Sequence, residues 1–193
     1  MPNWANVSYQ ITGSKESIDR LNNIIDELVS APSPRVKNGF GKLWLGCIVD
    51  ALGGKWEEVT CRGQIYERSR VSDISLDLDM EMAWGELSDF REFLEKTLNV
   101  HIIYYCEEPG MATYCHNDPD GPKYHIEVII EDETYESDFI DDFETIQMMI
   151  DSYINKKPKD FADAIEICNK FNNLHVHDEA FSYIKVNEAI CKD

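Results

Sequence analysis

The stretch 73–84 reads DISLDLDMEMAW and carries the most regular pattern in the chain. Apolar side chains occupy every second position, and polar, mainly acidic side chains occupy the positions between them. A period of two is typical of a β-strand that buries one face and exposes the other. The sequence therefore predicts a long strand whose exposed face carries the carboxylates of Asp77, Asp79 and Glu81.

Strand and helix patterns alternate on both sides of this stretch. They predict further strands over 5–11, 62–70 and 100–106, and amphipathic helices over 14–29 and 86–98. Residues 31–61 are rich in glycine and predict an irregular insertion with one short helix over 43–52. The order β-α-β-β-α-β indicates an α+β fold with the split βαβ of ferredoxin-like proteins, an antiparallel sheet with helices on one face.

The C-terminal part has a different character. Its patterns predict a turn, a strand, two helices and a last strand, over 117–122, 124–130, 138–154, 160–172 and 180–187. We expect the strand 124–130 to form a hairpin with 100–107. The predicted organisation is a ferredoxin-like βαββαβ domain over 1–115 and, packed on it, an acidic, mostly helical β-α-α-β extension over 116–193 that adds one or two strands.

Charge is distributed unevenly along the 193 residues. The net charge is −19, from 37 acidic and 18 basic side chains, and a hydrophobic fraction of 43% excludes intrinsic disorder. Residues 1–70 have a net charge of +1, whereas residues 71–193 have 29 acidic and 9 basic side chains and a net charge of −20. Such a surface repels the phosphates of nucleic acids and of anionic membranes. Basic proteins, cations and neutral small molecules remain as partners.

The cysteines and the N-terminus indicate a reducing compartment. No two of the six cysteines have the close spacing of zinc sites; they are Cys47, Cys61, Cys106, Cys115, Cys168 and Cys191. The start MPNWAN has neither the basic region nor the apolar core of a signal peptide. No apolar run approaches the ~18 residues of a membrane span. We expect a cytoplasmic protein with buried free thiols and without a cofactor.

Several acidic and glycine-rich patterns resemble functional motifs without completing them. The glycines at 39–41 and 53–55 are not accompanied by the other motif residues that a dinucleotide-binding loop or a phosphate-binding loop requires. Three carboxylates in a straight row do not converge on one metal ion, so the face of the predicted strand is more typical of a solvated surface. The acidic run (127–144) holds nine acids and no base. It is either a surface for cations or proteins, or a solvated strand edge and helix start.

Four short motifs lie in a fixed order within the first 115 residues. They are MPNWAN at 1–6, Gly54-Lys55-Trp56-Glu57, Ala83-Trp84, and Glu107-Glu108-Pro109-Gly110-Met111. In this order they resemble the YubB-type ferredoxin-like family, whose members are small proteins of bacteria, phages and plasmids. The resemblance implies the split βαβ fold and no particular activity. The sequence departs from the family at Ala5, where Cys is usual, and at Gly85-Glu86, where Ser-Pro is usual.

The same motifs supply the candidate binding residues, which are Trp4, Asn6, Lys55, Trp56, Trp84, Glu107, Glu108 and Gly110. The first hypothesis is a non-enzymatic protein-binding module whose acidic surface engages a basic protein, in its sharper form as a mimic of nucleic acid. One alternative is an enzyme of unknown reaction with a pocket near Trp4, Trp56 and Glu107 or Glu108. Another is a divalent-metal-binding module that uses the carboxylates of the predicted strand. No residue is assigned as catalytic or metal-binding, and tryptophans are more often core residues than ligand contacts.

Overall fold

The computed structural model describes residues 3–131, 134–177 and 180–192. Met1 and Pro2 of the first motif, and Asp132 and Glu133 of the acidic run, therefore lie outside the described residues. The chain divides into two compact units, unit 1 (Met1–Thr113) and unit 2 (Tyr114–Asp193). Both units combine helices with strands, so the fold is α+β as predicted. Among the described residues, no helix is both long and apolar enough to cross a lipid bilayer.

Unit 1 is built on four antiparallel strands. They are β1 (Trp4–Thr12), β2 (Gly63–Ser72), β3 (Ser75–Ala83) and β4 (His101–Glu108), in the spatial order β2-β3-β1-β4. Three helices lie between them along the chain: α1 (Lys15–Ser30), α2 (Leu45–Ala51) and α3 (Ser88–Leu98). The strand predicted over 73–84 is β3, which has a hydrogen-bonded partner on each side.

One face of this sheet is buried under the helices. Alternate side chains of β1, from Ala5 to Ile11, are fully buried, while those between them are more exposed. Helix α1 follows its N-cap Ser14, whose hydroxyl accepts the N–H of Ser17 at 3.1 Å. Its buried face consists of Ile18, Leu21, Ile25 and Leu28. Burial of each such side chain stabilises the fold by about 1.5–3 kcal/mol. The other face of the sheet carries the polar side chains.

The insertion between α1 and β2 runs along the free edge of β2. Trp44 forms an isolated antiparallel bridge with Gln64, and the carbonyl of Leu43 accepts the N–H of Ile65 at 3.1 Å. Helix α2 begins directly after this bridge, within the range predicted for a short helix. The bridge therefore fixes the aromatic residues of the insertion beside the start of β2.

Unit 2 contains a three-stranded antiparallel sheet and two helices. Strand β6 (Tyr124–Ile130) lies between β7 (Thr134–Ile140) and β8 (Tyr183–Glu188). Helices α4 (Phe143–Ile154) and α5 (Phe161–His175) form a core with the sheet, made of Ile126, Val128, Ile140, Ile146, Ile150, Ala164, Cys168, Ile184 and Val186. Two short strands, β5 (Thr113–His116) and β9 (Ile190–Cys191), pair in parallel.

Two predictions for the C-terminal part are wrong. Strand 124–130 does not form a hairpin with 100–107, because β7 and β8 occupy both of its edges. Residues 134–140 form a strand, and the helix predicted from residue 138 begins only after its N-cap Asp142. The alternation of β7 is weak in a hydropathy pattern, because the aromatic face is interrupted by Ser137 and the acidic face ends in the apolar Ile140. Unit 2 consequently has more strand than the mostly helical extension that was predicted.

The burial of the cysteines agrees with the sequence-based expectation at all but one position. Five of the six are buried, and Cys191 in β9 is exposed. Burial raises the pKa of the Cys61 and Cys168 thiols to about 11. These thiols therefore remain protonated at neutral pH.

Candidate functional site

The outer face of the unit 1 sheet brings carboxylates from two strands together. On β3, Asp77, Asp79 and Glu81 alternate with buried residues and lie about 7 Å apart in succession. On β1, Asn6 pairs with Glu81 on one side and with Glu107 of β4 on the other. Paired residues of neighbouring strands place their side chains on the same face. The acidic sheet face, defined as Asp77, Asp79, Glu81 and Glu107, therefore flanks Asn6.

Neutral donors from the neighbouring strands hold the carboxylates of β3. The hydroxyl of Ser8 donates to Asp79 at 2.5 Å, and the side-chain amide of Gln64 donates to Glu81 at 3.3 Å. Within the described ranges, no Lys, Arg or His forms an ion pair with Asp77, Asp79 or Glu81. The three negative charges therefore repel one another along the strand without a cation between them.

The pKa values of two side chains report a negative field at this face. Burial, and then the charge of Asp79, raises the pKa of Asp77. Burial also raises the pKa of the Tyr66 hydroxyl on β2, and four nearby carboxylates, Asp79 foremost, raise it further. Both shifts have the sign expected where additional negative charge is unfavourable. A cationic group placed here would relieve this repulsion.

A row of four aromatic rings leads from β1 into the insertion. Trp4 meets Phe40 edge-on with ring centroids 5.9 Å apart, Phe40 stacks on Trp44 at 6.4 Å, and Trp44 meets Trp56 edge-on at 5.3 Å. The side chain of Asn38 shapes the turn before this row by accepting the N–H of Phe40 at 2.6 Å. These centroid distances lie in the range of favourable aromatic pairs. The row fixes the insertion to the start of β1.

The segment around Lys55 and Trp56, which the sequence predicts to bind a partner, packs against neighbouring elements of unit 1. Lys55 is exposed and pairs with Glu58 at 2.8 Å. A side chain at Gly54 would lie 2.5 Å from the ring of Phe93 on α3, so only glycine fits there without a shift of that ring. Trp56 is half-buried at the far end of the aromatic row from Trp4. The close approach of Gly54 to Phe93 and the contact of the Trp56 indole with Trp44 hold this segment in place, whereas the exposed ion pair lies within the segment.

The Glu-Glu-Pro-Gly-Met motif forms a capped turn. Buried Glu108 accepts the N–H of Met111 at 2.8 Å and so caps the 3-10 turn Pro109–Met111. A side chain at Gly110 would meet the Glu108 carboxylate at 2.9 Å and the side-chain amide of Asn3 at 3.2 Å. Glu108 and Gly110 therefore hold this turn against the N-terminal segment, and the predicted residue that reaches the outer face from this motif is Glu107.

Trp84 follows β3 in an unusual backbone conformation. The φ of Trp84 is +73° and that of Gly85 is +137°. The N–H of Trp84 donates to the carbonyl of Asn3 at 2.9 Å. The left-handed region is sterically unfavourable for a bulky side chain. Its indole is nevertheless 64% exposed. The sequence pattern placed Trp84 on the buried face of the strand and did not anticipate this turn.

The N-terminal segment contacts two of the other elements that carry predicted site residues. It contacts the insertion through Trp4 and Phe40, and it contacts the 107–111 turn through Asn3 and Gly110. Tyr66, Phe40 and Trp44 were missed as neighbours of the predicted residues. The only available signal was the presence of aromatic residues within a glycine-rich segment, since their contacts join residues far apart in the chain.

Two of the cavities in the described part of unit 2 lie away from the predicted residues. The larger, of about 470 Å³, is lined by His116, Lys123, Tyr124, Glu188 and Cys191 among others. The smaller, of about 290 Å³, lies between β6 and the ends of α4 and α5. No predicted site residue contributes to either lining. In the part of the chain that the structure describes, no three His, Cys, Asp or Glu side chains are arranged to hold a metal ion.

Comparisons with protein-family models, with curated proteins and with solved structures find no match for this chain.

Proposed function

We propose that the chain is a non-enzymatic protein-binding module whose acidic sheet face receives a basic segment of a partner protein. The observation that carries this proposal is the row Asp77, Asp79 and Glu81, which has neutral hydrogen-bond donors and no cation among the described residues. Lysine or arginine side chains from a partner would supply the missing positive charge. Such charge complementarity speeds association and selects partners.

The geometry of the row favours an extended segment as the partner. Alternate residues of a β-strand lie about 7 Å apart, which is also the spacing of successive side chains on one face of an extended peptide. A partner with lysine or arginine at alternate positions would therefore match Asp77, Asp79 and Glu81 one by one.

We further propose that unit 1 is a ferredoxin-like split βαβ domain. The antiparallel order β2-β3-β1-β4 and the two helices that connect its halves support this assignment. Membership of the YubB-type family, a cytoplasmic location and the absence of direct binding to nucleic acid or membranes remain predictions.

The alternative functions have weaker support. The buried carboxylate of Glu108 is engaged as the cap of a turn, which argues against its use as an acid or base in a pocket with Trp4 and Trp56. The straight row on β3 does not converge on a point, as a divalent-metal site requires. Calorimetric titration with calcium and with magnesium tests the metal alternative directly.

Titration with a heptalysine peptide tests the proposed function. We expect binding at about 50 mM salt that weakens at about 300 mM, where charges are more strongly screened. The double variant Asp79→Asn/Glu81→Gln should weaken binding about tenfold, or about 1.4 kcal/mol. The control Glu27→Gln/Glu92→Gln removes two exposed charges from the helices of the same unit. An equal loss in both double variants, or no binding of the peptide at all, would contradict the proposal.

A further inference from the structure

We infer that the basic segment also carries an apolar side chain, and that this side chain docks at one end of the sheet against Trp4, Trp84 and Met111. We call these three residues the apolar end. The inference rests on the proposed function for the charge of the partner. It adds where the segment is anchored and which second chemical property the partner needs.

Asn3 connects the three residues of the apolar end. Trp4 follows Asn3 directly in the chain, and the carbonyl of Asn3 accepts the N–H of Trp84 at 2.9 Å. Its side-chain amide lies beside Gly110, the residue before Met111. The three residues therefore lie at the same end of the sheet, in β1, at the end of β3 and in the turn after β4.

All three side chains are unusually exposed for their size. The exposed fractions are 40% for Trp4, 64% for Trp84 and 71% for Met111. Contiguous apolar surface rimmed by polar residues is typical of interaction sites. Tryptophan and methionine are also enriched at protein interfaces, and tryptophan is among the residues that contribute most to their affinity.

The backbone of Trp84 gives independent support. A non-glycine residue at a φ of +73° is strained, and such strain tends to be retained at functional sites. Glycine would satisfy the turn at lower cost, as it does at the next position, Gly85. An exposed indole held in this conformation is best explained by a contact that the free chain does not make.

The apolar end is continuous with the acidic sheet face. Trp4 precedes Asn6 by two positions on the outer side of β1, and Asn6 is flanked by Glu81 and Glu107. The distance between such alternate residues is about 7 Å. One extended segment can therefore place an apolar residue against Trp4 and Trp84 and its next lysine or arginine beside Glu81. Charge complementarity thus identifies the occupant as a basic peptide segment with an apolar anchor.

Two peptides separate this inference from the proposed function. The plain peptide is Gly-Gly-Lys-Gly-Lys-Gly-Lys. The anchored peptide has leucine in place of the first glycine, two positions before the first lysine and therefore on the same face of an extended chain. We expect the anchored peptide to bind about tenfold more tightly than the plain one. Trp84→Gly should abolish most of that difference in affinity, because the variant removes the indole while glycine readily adopts the left-handed backbone. Met111→Ser, in a separate turn, is the second variant.

The control is Ile74→Ala, which removes a 58% exposed apolar side chain from the turn between β2 and β3. It should preserve the preference for the anchored peptide. Equal affinity of the unmodified chain for both peptides would overturn the inference while leaving the proposed function intact. A preference that survives both Trp84→Gly and Met111→Ser would do the same. Binding of neither peptide would overturn both proposals.

Discussion

The acidic run of unit 2 and the acidic sheet face of unit 1 both carry carboxylates, but their surroundings shift the pKa of a carboxyl group in opposite directions. In the run, Asp142 accepts the N–H of Thr145 at 2.9 Å as the N-cap of α4, and this hydrogen bond lowers its pKa. On the sheet face, burial and the neighbouring Asp79 raise the pKa of Asp77. The fold stabilises the ionised form of Asp142 and destabilises the ionised form of Asp77.

This difference shows that the density of charge does not locate a binding surface. The run has the most acids per residue, yet Asp142 and Glu144 occupy the start of a helix, where negative charge is favourable. The sheet face has fewer acids, but Asp77, Asp79 and Glu81 form no ion pair with a Lys, Arg or His of the described residues. An uncompensated carboxylate is the better candidate for a partner's counter-charge.

The largest expected effect concerns a third arrangement, in which a carboxylate has its cation inside the protein. Buried Glu86 accepts hydrogen bonds from the Tyr9 hydroxyl at 2.6 Å and from Arg91 at 3.1 Å. Arg91→Met leaves this carboxylate buried without its cation, so we expect a loss of about 3–5 kcal/mol in the free energy of unfolding. Urea denaturation measures it. Lys170→Met removes the exposed partner of Glu166 and should cause no measurable change. Similar losses in the two variants would contradict this distinction.

A smaller loss of stability is expected at the helix start of the acidic run. Asp142→Ala removes the side chain that caps α4, so the thermal midpoint should fall, and Asp142→Asn should restore most of it. Because the pKa of Asp142 is lowered in the folded state, its contribution is present above the unfolded pKa and is lost as pH falls through the folded pKa. Thermal melts at about pH 7 and about pH 3 measure this change. An effect of Asp142→Ala that is independent of pH would contradict the assignment.

The opposite sign is expected on the sheet face. Because the pKa of Asp77 is raised in the folded state, its contribution to stability is present below the unfolded pKa and is lost as pH rises through the folded pKa. Asp77→Asn should therefore increase the thermal midpoint slightly near neutral pH and lose this advantage below about pH 4. The matched change Asp151→Asn, an exposed acid on α4, provides the control. A destabilised Asp77→Asn variant at neutral pH would mean that the fold uses this charge after all.

The smallest expected effect links the pKa of Asp77 to the proposed partner. A lysine beside Asp77 lowers the raised pKa of the carboxyl, so binding should release a fraction of a proton at pH values just above the ordinary Asp pKa of about 4. Calorimetry of heptalysine binding in two buffers of different ionisation enthalpy measures the proton count. Asp77→Asn should abolish this release. Proton uptake on binding would contradict the proposed position of the cation.

The sequence was most informative where a single period extends over a whole element. β3 has strict alternation, and α1 has helical spacing after a capping serine, so both were predicted within a few residues. Strand β7 was missed because its sequence, Thr-Tyr-Glu-Ser-Asp-Phe-Ile, carries polar groups on both faces. Its pairing with β6 depends on tertiary contacts that local pattern does not encode.

The candidate site was predictable as a set of residues and less so as an arrangement. The motifs identified Trp4, Trp84 and Glu107, which the structure places at one end of the sheet. They gave no indication that Glu108 turns inward as a cap or that Trp84 adopts a left-handed backbone. The backbone of Trp84 is held by a hydrogen bond to Asn3, and a contact so distant in the chain has no local pattern. The cap of Glu108 on Met111 is local, but alternation along the strand does not reveal it.

Because the cysteines differ in burial, thiol labelling of the unmodified chain can measure its unfolding. A thiol reagent attacks only accessible thiolates, and the folded chain offers it one exposed thiol, Cys191, out of six. Unfolding exposes the other five. The number of thiols that react within a short pulse therefore measures the unfolded fraction without any added probe. A fluorophore coupled at Cys191 likewise labels unit 2 at a single position without mutagenesis.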